Sequence, residues 1–113
     1  MLFAALAMST VSPTVSTFDP DLRCVAVFSY AETKVDASAQ AGITAGLMYY
    51  YGRLDGRHPG YDMEGEMRKL TSAGYDAQSV QADLQRCGGD MQRKGEYLQQ
   101  IGRALEGKTG TAP

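Results

Sequence analysis

The sequence predicts an all-α protein, a small four- to five-helix orthogonal bundle stapled by one disulfide. Three observations lead to this prediction. Apolar residues recur three and four positions apart along most of the chain, as they do on the buried faces of helices. The β-branched run at residues 11–17 contains a proline and lacks the alternation of a strand. Two cysteines, Cys24 and Cys87, fall on separate predicted helices.

A chain of 113 residues has the length of one domain, which we divide into three segments. We expect residues 1–18 to be a signal-peptide remnant or flexible segment, residues 19–106 to form the helical domain, and residues 107–113 to be a disordered tail. The N-terminal stretch Met1–Met8 is apolar enough for an export signal, and Ala5-Leu6-Ala7 has the small-x-small pattern of a cleavage site. These features predict a periplasmic or secreted protein. The alternative is an ordinary hydrophobic N-terminus packed on the core.

The two cysteines suit an exported protein of this size. Roughly 90 residues remain for a core, and a domain so small buries only about 60 to 65% of its unfolded surface. A bond between Cys24 and Cys87 would add about 4 kcal/mol at most. The alternative is two buried thiols in a cytosolic helical protein. Because the chain has no Cys-x-x-Cys pair and a single histidine, we expect no metal site and no cofactor.

Composition also argues against two kinds of partner. The 11 Lys and Arg residues are interspersed with 13 Asp and Glu residues, for a net charge of −2. Since binding to phosphates needs basic residues clustered on one face, we expect no nucleic-acid binding. The apolar N-terminal stretch is far shorter than the roughly 20 residues that cross a bilayer, so we expect no transmembrane span.

The first predicted helix begins at Asp19-Pro20-Asp21. A carboxylate suits the N-cap, and a proline in the first turn loses no hydrogen bond. The helix runs to about Thr33 and has almost no polar face, so we expect it to be the most buried element, with Cys24 inside it.

The second predicted helix runs from Asp36 or Ser38 to about Leu54, on the helical spacing of its apolar residues. Glycines within it weaken this prediction, because each costs up to about 1 kcal/mol relative to alanine. Two of them, Gly42 and Gly46, are four positions apart and would allow close contact with another helix.

Three further helices complete the prediction. The third covers residues 62–73 and ends at Gly74, and the fourth covers residues 76–86. Gly88-Gly89 is expected to break or kink the chain before a fifth helix over residues 90–105.

The candidate binding residues lie around the end of the second helix: Tyr49, Tyr50, Arg53, Asp55, Arg57 and His58. Arg53 and Arg57 are four apart and share a helix face, and paired guanidinium groups suit a carboxylate or phosphate. The alternative is C-capping, in which basic side chains complement the negative end of the helix and the tyrosines pack with their hydroxyls in water.

The sequence offers no credible catalytic group, and we expect the protein not to be an enzyme. His58 would act as a base only if the loop brought Asp55 or Asp62 beside it. Three methionines at helical spacing are in principle ligands for Cu(I), but that spacing is more typical of core filler: Met63, Met67 and Met91.

Three strings carry a resemblance to a known family: Asp21-Leu22-Arg23-Cys24, the string from Tyr51 to Gly56, and the string from Val80 to Cys87. Over residues 19–106 the chain resembles the HdeA-type acid-stress chaperones and related small two-cysteine periplasmic proteins. The resemblance implies a bond between the two cysteines and an ATP-independent holdase, a folded homodimer at neutral pH that exposes apolar surface in acid. Periplasmic immunity proteins have a similar two-cysteine helical design.

Two functions follow as hypotheses. The first is a small exported helical binding protein that acts as an acid-stress periplasmic chaperone through its apolar helix faces. The second is an accessory subunit or immunity-type interaction protein of a bacterial envelope complex, with the tyrosine and arginine residues named above as its contact surface. Both require protein partners.

Overall fold

A computed structural model describes residues 14–109, and within that range the chain is all-α with no strand. A 3₁₀ turn at Val15–Thr17 precedes four α-helices: α1 at Pro20–Glu32, α2 at Ala37–Arg57, α3 at Met63–Ser72 and α4 at Ala77–Thr109. The all-α prediction is confirmed for these residues, and the orthogonal arrangement stays a prediction.

Helix α1 lies at the centre of the molecule, as its nearly unbroken apolar sequence predicts. The side chain of Asp19 caps its N-terminus, accepting a hydrogen bond from the backbone N–H of Asp21 at 2.8 Å, and Pro20 opens the first turn. Residues 21–25 are all buried, and α1 packs against each of the other three helices. Burial of one central helix by three others is what makes so short a chain foldable.

Helix α2 packs most extensively on α1 and continues past Leu54 to Arg57, one turn longer than predicted. Gly46 is buried at this contact, where a β-carbon would overlap the ring of Phe28. The predicted close approach is therefore confirmed at Gly46. At Gly42 it is absent, because no atom lies within 4 Å of where a β-carbon would be.

Helix α3 is short and has clear ends. A side-chain oxygen of Asp62 accepts from the backbone N–H of Gly65 at 3.1 Å, and Leu70 packs into the core. Gly74, with φ of 90°, then takes the left-handed conformation that turns the chain toward α4.

Helix α4 is continuous from Ala77 to Thr109, so the predicted break at Gly88-Gly89 is wrong. Two glycines cost about 2 kcal/mol of helix propensity together, which contacts on either side outweigh. Cys87 is bonded to α1, and the carboxylate of Asp90 accepts a hydrogen bond from Tyr50 of α2. Since both contacts hold α4 in one register, the fourth and fifth predicted helices are a single helix.

A disulfide joins Cys24 of α1 to Cys87 of α4, across a sequence separation of 63 and a Cα–Cα distance of 5.7 Å. Both cysteines are completely buried. The other fully buried apolar side chains come from α1, α2, α3 and the turn before α1: Val15, Leu22, Val27, Leu54 and Leu70. The disulfide is thus part of the hydrophobic core.

The ends of the predicted domain differ from its folded limits. Val15 is fully buried and Phe18 packs against the core, so the folded part begins before residue 19. Helix α4 includes residues 107–109 of the predicted tail. The predicted export signal and residues 110–113 lie outside the described residues. None of the helices in residues 14–109 is long and apolar enough to cross a membrane.

Candidate functional site

The six predicted binding residues do not share one surface. Tyr50 is buried against Phe28, with its ring centroid 5.8 Å away, and its hydroxyl donates to the carboxylate of Asp90 at 2.7 Å. Asp55 and His58 are exposed, and the ring of His58 lies 5.7 Å from that of Tyr61. Tyr50 therefore joins α2 to α4 inside the molecule.

Arg53 and Arg57 share a face of α2, as their spacing predicts, and that face meets the start of α1. The Nε of Arg53 donates to Asp21 at 2.8 Å, and Nη1 of Arg57 donates to the same oxygen at 2.7 Å. The second nitrogen of Arg57 donates to Asp19 at 2.6 Å. Two arginines and two carboxylates thus form a locally neutral cluster between α1 and α2, which we call the α1–α2 ion cluster.

The cluster shifts the titration of its members. A hydrogen bond from Arg53 to Asp21 raises the pKa of Arg53, and bonds to Asp21 and Asp19 raise that of Arg57. Partial burial opposes ionisation of Asp19, yet its pKa lies below the ordinary value because the Asp21 amide and Arg57 stabilise the carboxylate. These guanidinium groups already hold carboxylates of the chain itself, and α1 supplies the anion that the sequence analysis assigned to a ligand.

Tyr49 adds an aromatic face to this cluster. Its ring lies edge-on to that of Tyr50, with centroids 4.9 Å apart, and the guanidinium of Arg53 sits 5.6 Å from its centroid. The ammonium of Lys94 lies 5.7 Å from the same ring. Two cations on one tyrosine couple the end of α2 to α4.

A second polar cluster centres on Asp83, which is 1% exposed. One carboxylate oxygen accepts from Nε of Arg23 at 3.1 Å and from the hydroxyl of Tyr75 at 2.9 Å. The other accepts from two nitrogens of Arg86, at 3.1 and 3.4 Å. Arg23 also donates to the carbonyl of Phe18 at 3.0 Å. This Asp83 cluster joins α1, α4 and the turn before α1 inside the core.

Two further pKa shifts belong to these contacts. Burial, with Asp83 beside it, raises the pKa of the Tyr75 hydroxyl. The hydrogen bond from Tyr50 holds the pKa of Asp90 below its ordinary value, against the effect of burial, and Lys94 adds to this. Asp90 is therefore an ionised acceptor at neutral pH, joining α2 to α4.

An open groove lies between α1, α3 and the first turns of α4. Its volume is about 690 Å³, and apolar atoms make up most of its lining, which includes Ala26, Val27, Tyr30, Met67, Tyr75 and Val80. Tyr30 is 57% exposed at its rim. The groove has the size and character of a site for an apolar side chain of a partner.

The sequence analysis missed the roles of Asp21, Asp83 and Asp90. Asp21 was interpreted only as part of a helix start, and no contact between helices was predicted for the other two. One signal was present: Asp83 is four residues before Cys87 and three after Val80, which puts it on the buried face of α4. Of the methionines, Met63, Met67 and Met91 pack against the core, as core filler does.

Comparisons with protein-family models, with curated proteins and with solved structures found no match for this chain.

Proposed function

We propose that this chain is a small exported helical binding protein that acts as an acid-triggered periplasmic chaperone. The observation that carries the proposal is that carboxylates join the helices to one another. Asp19 and Asp21 link α1 to α2, Asp83 links α1 to α4, and Asp90 links α2 to α4. Acid that protonates these groups weakens all three helix contacts together.

The sign of the pH dependence follows from the lowered pKa values of Asp19 and Asp90. A carboxylate whose folded pKa lies below its unfolded value stabilises the fold above the unfolded pKa, here 3.8. That contribution is lost as the pH falls from 3.8 through the folded pKa. Arginines stay charged throughout, so unpaired cations then remain at the helix contacts.

Net charge acts in the same direction. At neutral pH the formal charge is −2. With every Asp and Glu protonated and the single histidine charged, 11 Lys and Arg and one His leave only positive side chains. Repulsion among them favours separation of the helices.

The disulfide determines which helices separate in acid. Because Cys24 and Cys87 stay bonded, α1 and α4 remain joined while α2 moves away from α1. That movement uncovers the buried apolar residues that α2 shares with α1, among them Phe28, Tyr50 and Leu54. Exposed apolar surface of this kind binds unfolding proteins. A disulfide also suits the oxidising periplasm, and the proposal includes no enzymatic activity.

The test is aggregation of an acid-sensitive protein at about pH 2 to 3, below the ordinary pKa of a carboxylate. We expect this chain to suppress the aggregation and to bind a hydrophobic dye in acid. Asp19→Asn and Asp90→Asn remove linking carboxylates, so each should bring dye binding to a higher pH. Glu64→Gln, which removes an exposed carboxylate whose ion pair with Arg68 lies within α3, is the matched control and should leave the onset unchanged. A chain that stays monomeric and dye-silent in acid would contradict the proposal.

The groove favours a second candidate, an accessory or immunity-type interaction protein. It is present without any acid opening, and its rim carries the exposed ring of Tyr30. Tyr30→Glu is the informative change, because Arg53→Glu would also break the ion pair with Asp21 that holds α1 to α2. This candidate predicts a partner that co-purifies at neutral pH with the unchanged chain and is lost with Tyr30→Glu.

A further inference from the structure

The C-terminal part of α4 extends away from the folded body. We divide α4 into a proximal half, residues 77–91, and a distal half, residues 92–109. Every residue from 96 to 107 is exposed, whereas the proximal half contains the buried Cys87 and Asp83. The distal half nevertheless carries four large apolar side chains, with exposed fractions of 62, 63, 38 and 59%: Tyr97, Leu98, Ile101 and Leu105.

These side chains continue the pattern that packs the proximal half. Leu84, Cys87 and Met91 lie at alternating intervals of four and three, and all three pack on or in the core. The same intervals lead through Lys94 to three exposed residues: Leu98, Ile101 and Leu105. This is the a and d pattern of a helix that packs on another helix over its whole length. Only the first half of the seam is covered.

A row of glycines runs beside the exposed seam. Gly88, Gly95 and Gly102 are seven apart, so they share one heptad position next to the apolar residues. No atom lies within 4 Å of where a β-carbon would be at any of the three. A ridge of leucine and isoleucine beside a row without side chains lets a second helix approach closely.

The distal half also needs a partner for stability. Most of the stability of a helix in a protein comes from tertiary packing of its apolar face, and each glycine costs up to about 1 kcal/mol relative to alanine. The distal half contains Gly95, Gly102 and Gly107, and its residues 96–107 are all exposed. Packing of the apolar seam against another helix would offset this cost.

We propose that the distal half of α4 binds the distal half of a second copy, forming an antiparallel helix pair about a two-fold axis near Gln99 and Gln100. In this arrangement Leu98 of each copy lies level with Ile101 of the other. Antiparallel pairing sets the same heptad position of both helices side by side, so the glycine rows meet and the helices approach closely. Each distal half carries both the apolar ridge and the glycine row, so the same face on two copies is complementary to itself.

Charge agrees with the antiparallel direction but contributes little. Six charged residues lie in the distal half: Arg93, Lys94, Glu96, Arg103, Glu106 and Lys108. About the proposed axis, Arg93 comes level with Glu106 of the second copy, and Glu96 with Arg103, on the outer faces of the pair where attraction is weak. A parallel pair in register would instead place like charges at equal heights.

The bulk of the folded body disfavours the parallel direction on steric grounds. The molecule measures 62 × 44 × 30 Å, whereas paired helices lie only about 8 to 10 Å apart. Parallel tails would bring both bodies to the same end, where they would overlap. The antiparallel pair sets them at opposite ends.

The buried area indicates a weak dimer. From their exposed fractions, the four apolar side chains of each copy would together remove at most roughly 1,000 Å² from water if completely covered in the pair, which is near the lower limit for a specific interface. We therefore expect dissociation in the micromolar range, about 1 to 100 μM.

Sedimentation of the full, oxidised chain at neutral pH tests association apart from any acid-triggered activity. We expect mass to rise from monomer to dimer with concentration. Leu98→Glu should weaken dimerisation at least about tenfold, as loss of a central contact does. Gln100→Glu, the same charge on the outer face, should change it little. Replacing Gly95 and Gly102 with glutamine should weaken dimerisation while raising helix content, which separates the contact from helix propensity.

The direction of helix pairing is tested by attaching a spin label to the new cysteine of the Gln92→Cys variant and measuring the distance between the labels of the two copies. The antiparallel pair places the two labels about 25 Å apart, whereas a parallel pair places them about 10 Å apart. A monomer at all concentrations, equal effects of Leu98→Glu and Gln100→Glu, or the shorter label distance would each overturn the proposal.

Discussion

The two halves of α4 have the same apolar spacing and opposite surroundings. In the proximal half the seam is covered by α1 and α2, tied by the disulfide and joined to Arg23 through Asp83. In the distal half the seam faces solvent, and every residue from 96 to 107 is exposed. The comparison teaches that a heptad pattern predicts a helix and a buried face, but not which surface buries it.

The largest predicted effect on stability is that of removing the disulfide, which ties the proximal half to α1. Replacing Cys24 and Cys87 together with alanine should lower the free energy of unfolding by about 4 kcal/mol, because the unfolded chain gains the entropy of an open loop. Denaturant unfolding followed by circular dichroism measures this. An unchanged midpoint in the double variant, or rapid alkylation of both thiols without reductant, would contradict the covalent tie.

The second largest difference between the two halves is expected when one charged side chain in each is neutralised. Asp83→Asn leaves Arg23, whose side chain is 10% exposed, without its ionic partner, and should cost about 3 kcal/mol. Glu96→Gln is the matched change in the distal half and should stay within about 0.5 kcal/mol of the parent. Equal losses from both variants, measured by the same denaturant titration, would show that the Asp83 cluster does not stabilise the core.

A third prediction compares a glycine whose β-position is occupied by a neighbouring side chain with one whose β-position is free. Gly46→Ala should destabilise by about 1 to 3 kcal/mol, because its methyl group would overlap the ring of Phe28. Gly52→Ala, in the same helix with nothing near its β-position, should be neutral or stabilising. Thermal unfolding of the two variants beside the parent measures both. A stabilising Gly46→Ala would mean that α1 and α2 do not approach as closely as described.

The smallest expected effect is in the distal half itself. Gly102→Ala should raise the stability of the isolated helix by up to about 1 kcal/mol, with no core contact to disturb. Far-ultraviolet circular dichroism and amide hydrogen exchange, at concentrations where the chain is monomeric, should show more helix and slower exchange over residues 96–107. Exchange that is already slow in the parent would contradict an unsupported distal half.

The helices were predictable from sequence because their apolar spacing is regular, and Cys24 and Cys87 fit the buried faces that this spacing defines. The continuity of α4 through Gly88-Gly89 was not predictable from sequence, because the low helix propensity of two consecutive glycines favours a break. What overrides propensity is tertiary: the bond at Cys87 and the hydrogen bond between Tyr50 and Asp90, which lie 40 positions apart. The sequence predicts the bond, but not the hydrogen bond or that the two contacts together hold α4 in one register.

The candidate site shows the same limit. The shared face of Arg53 and Arg57 was predictable from their spacing, and the structure confirms that both reach one carboxylate. That this carboxylate is Asp21 depends on how α1 crosses α2, which periodicity does not determine. The groove beside Tyr30 was also beyond prediction, because it arises between three elements that each look complete alone.

The bond between Cys24 and Cys87 closes a covalent ring that contains all of α2 and α3. A protease that cuts the exposed turn between these helices, near Pro59, would therefore produce two fragments that do not part. The nicked molecule keeps its parent mass plus one water until it is reduced. In a compartment rich in proteases, one cut in that turn need not release either piece.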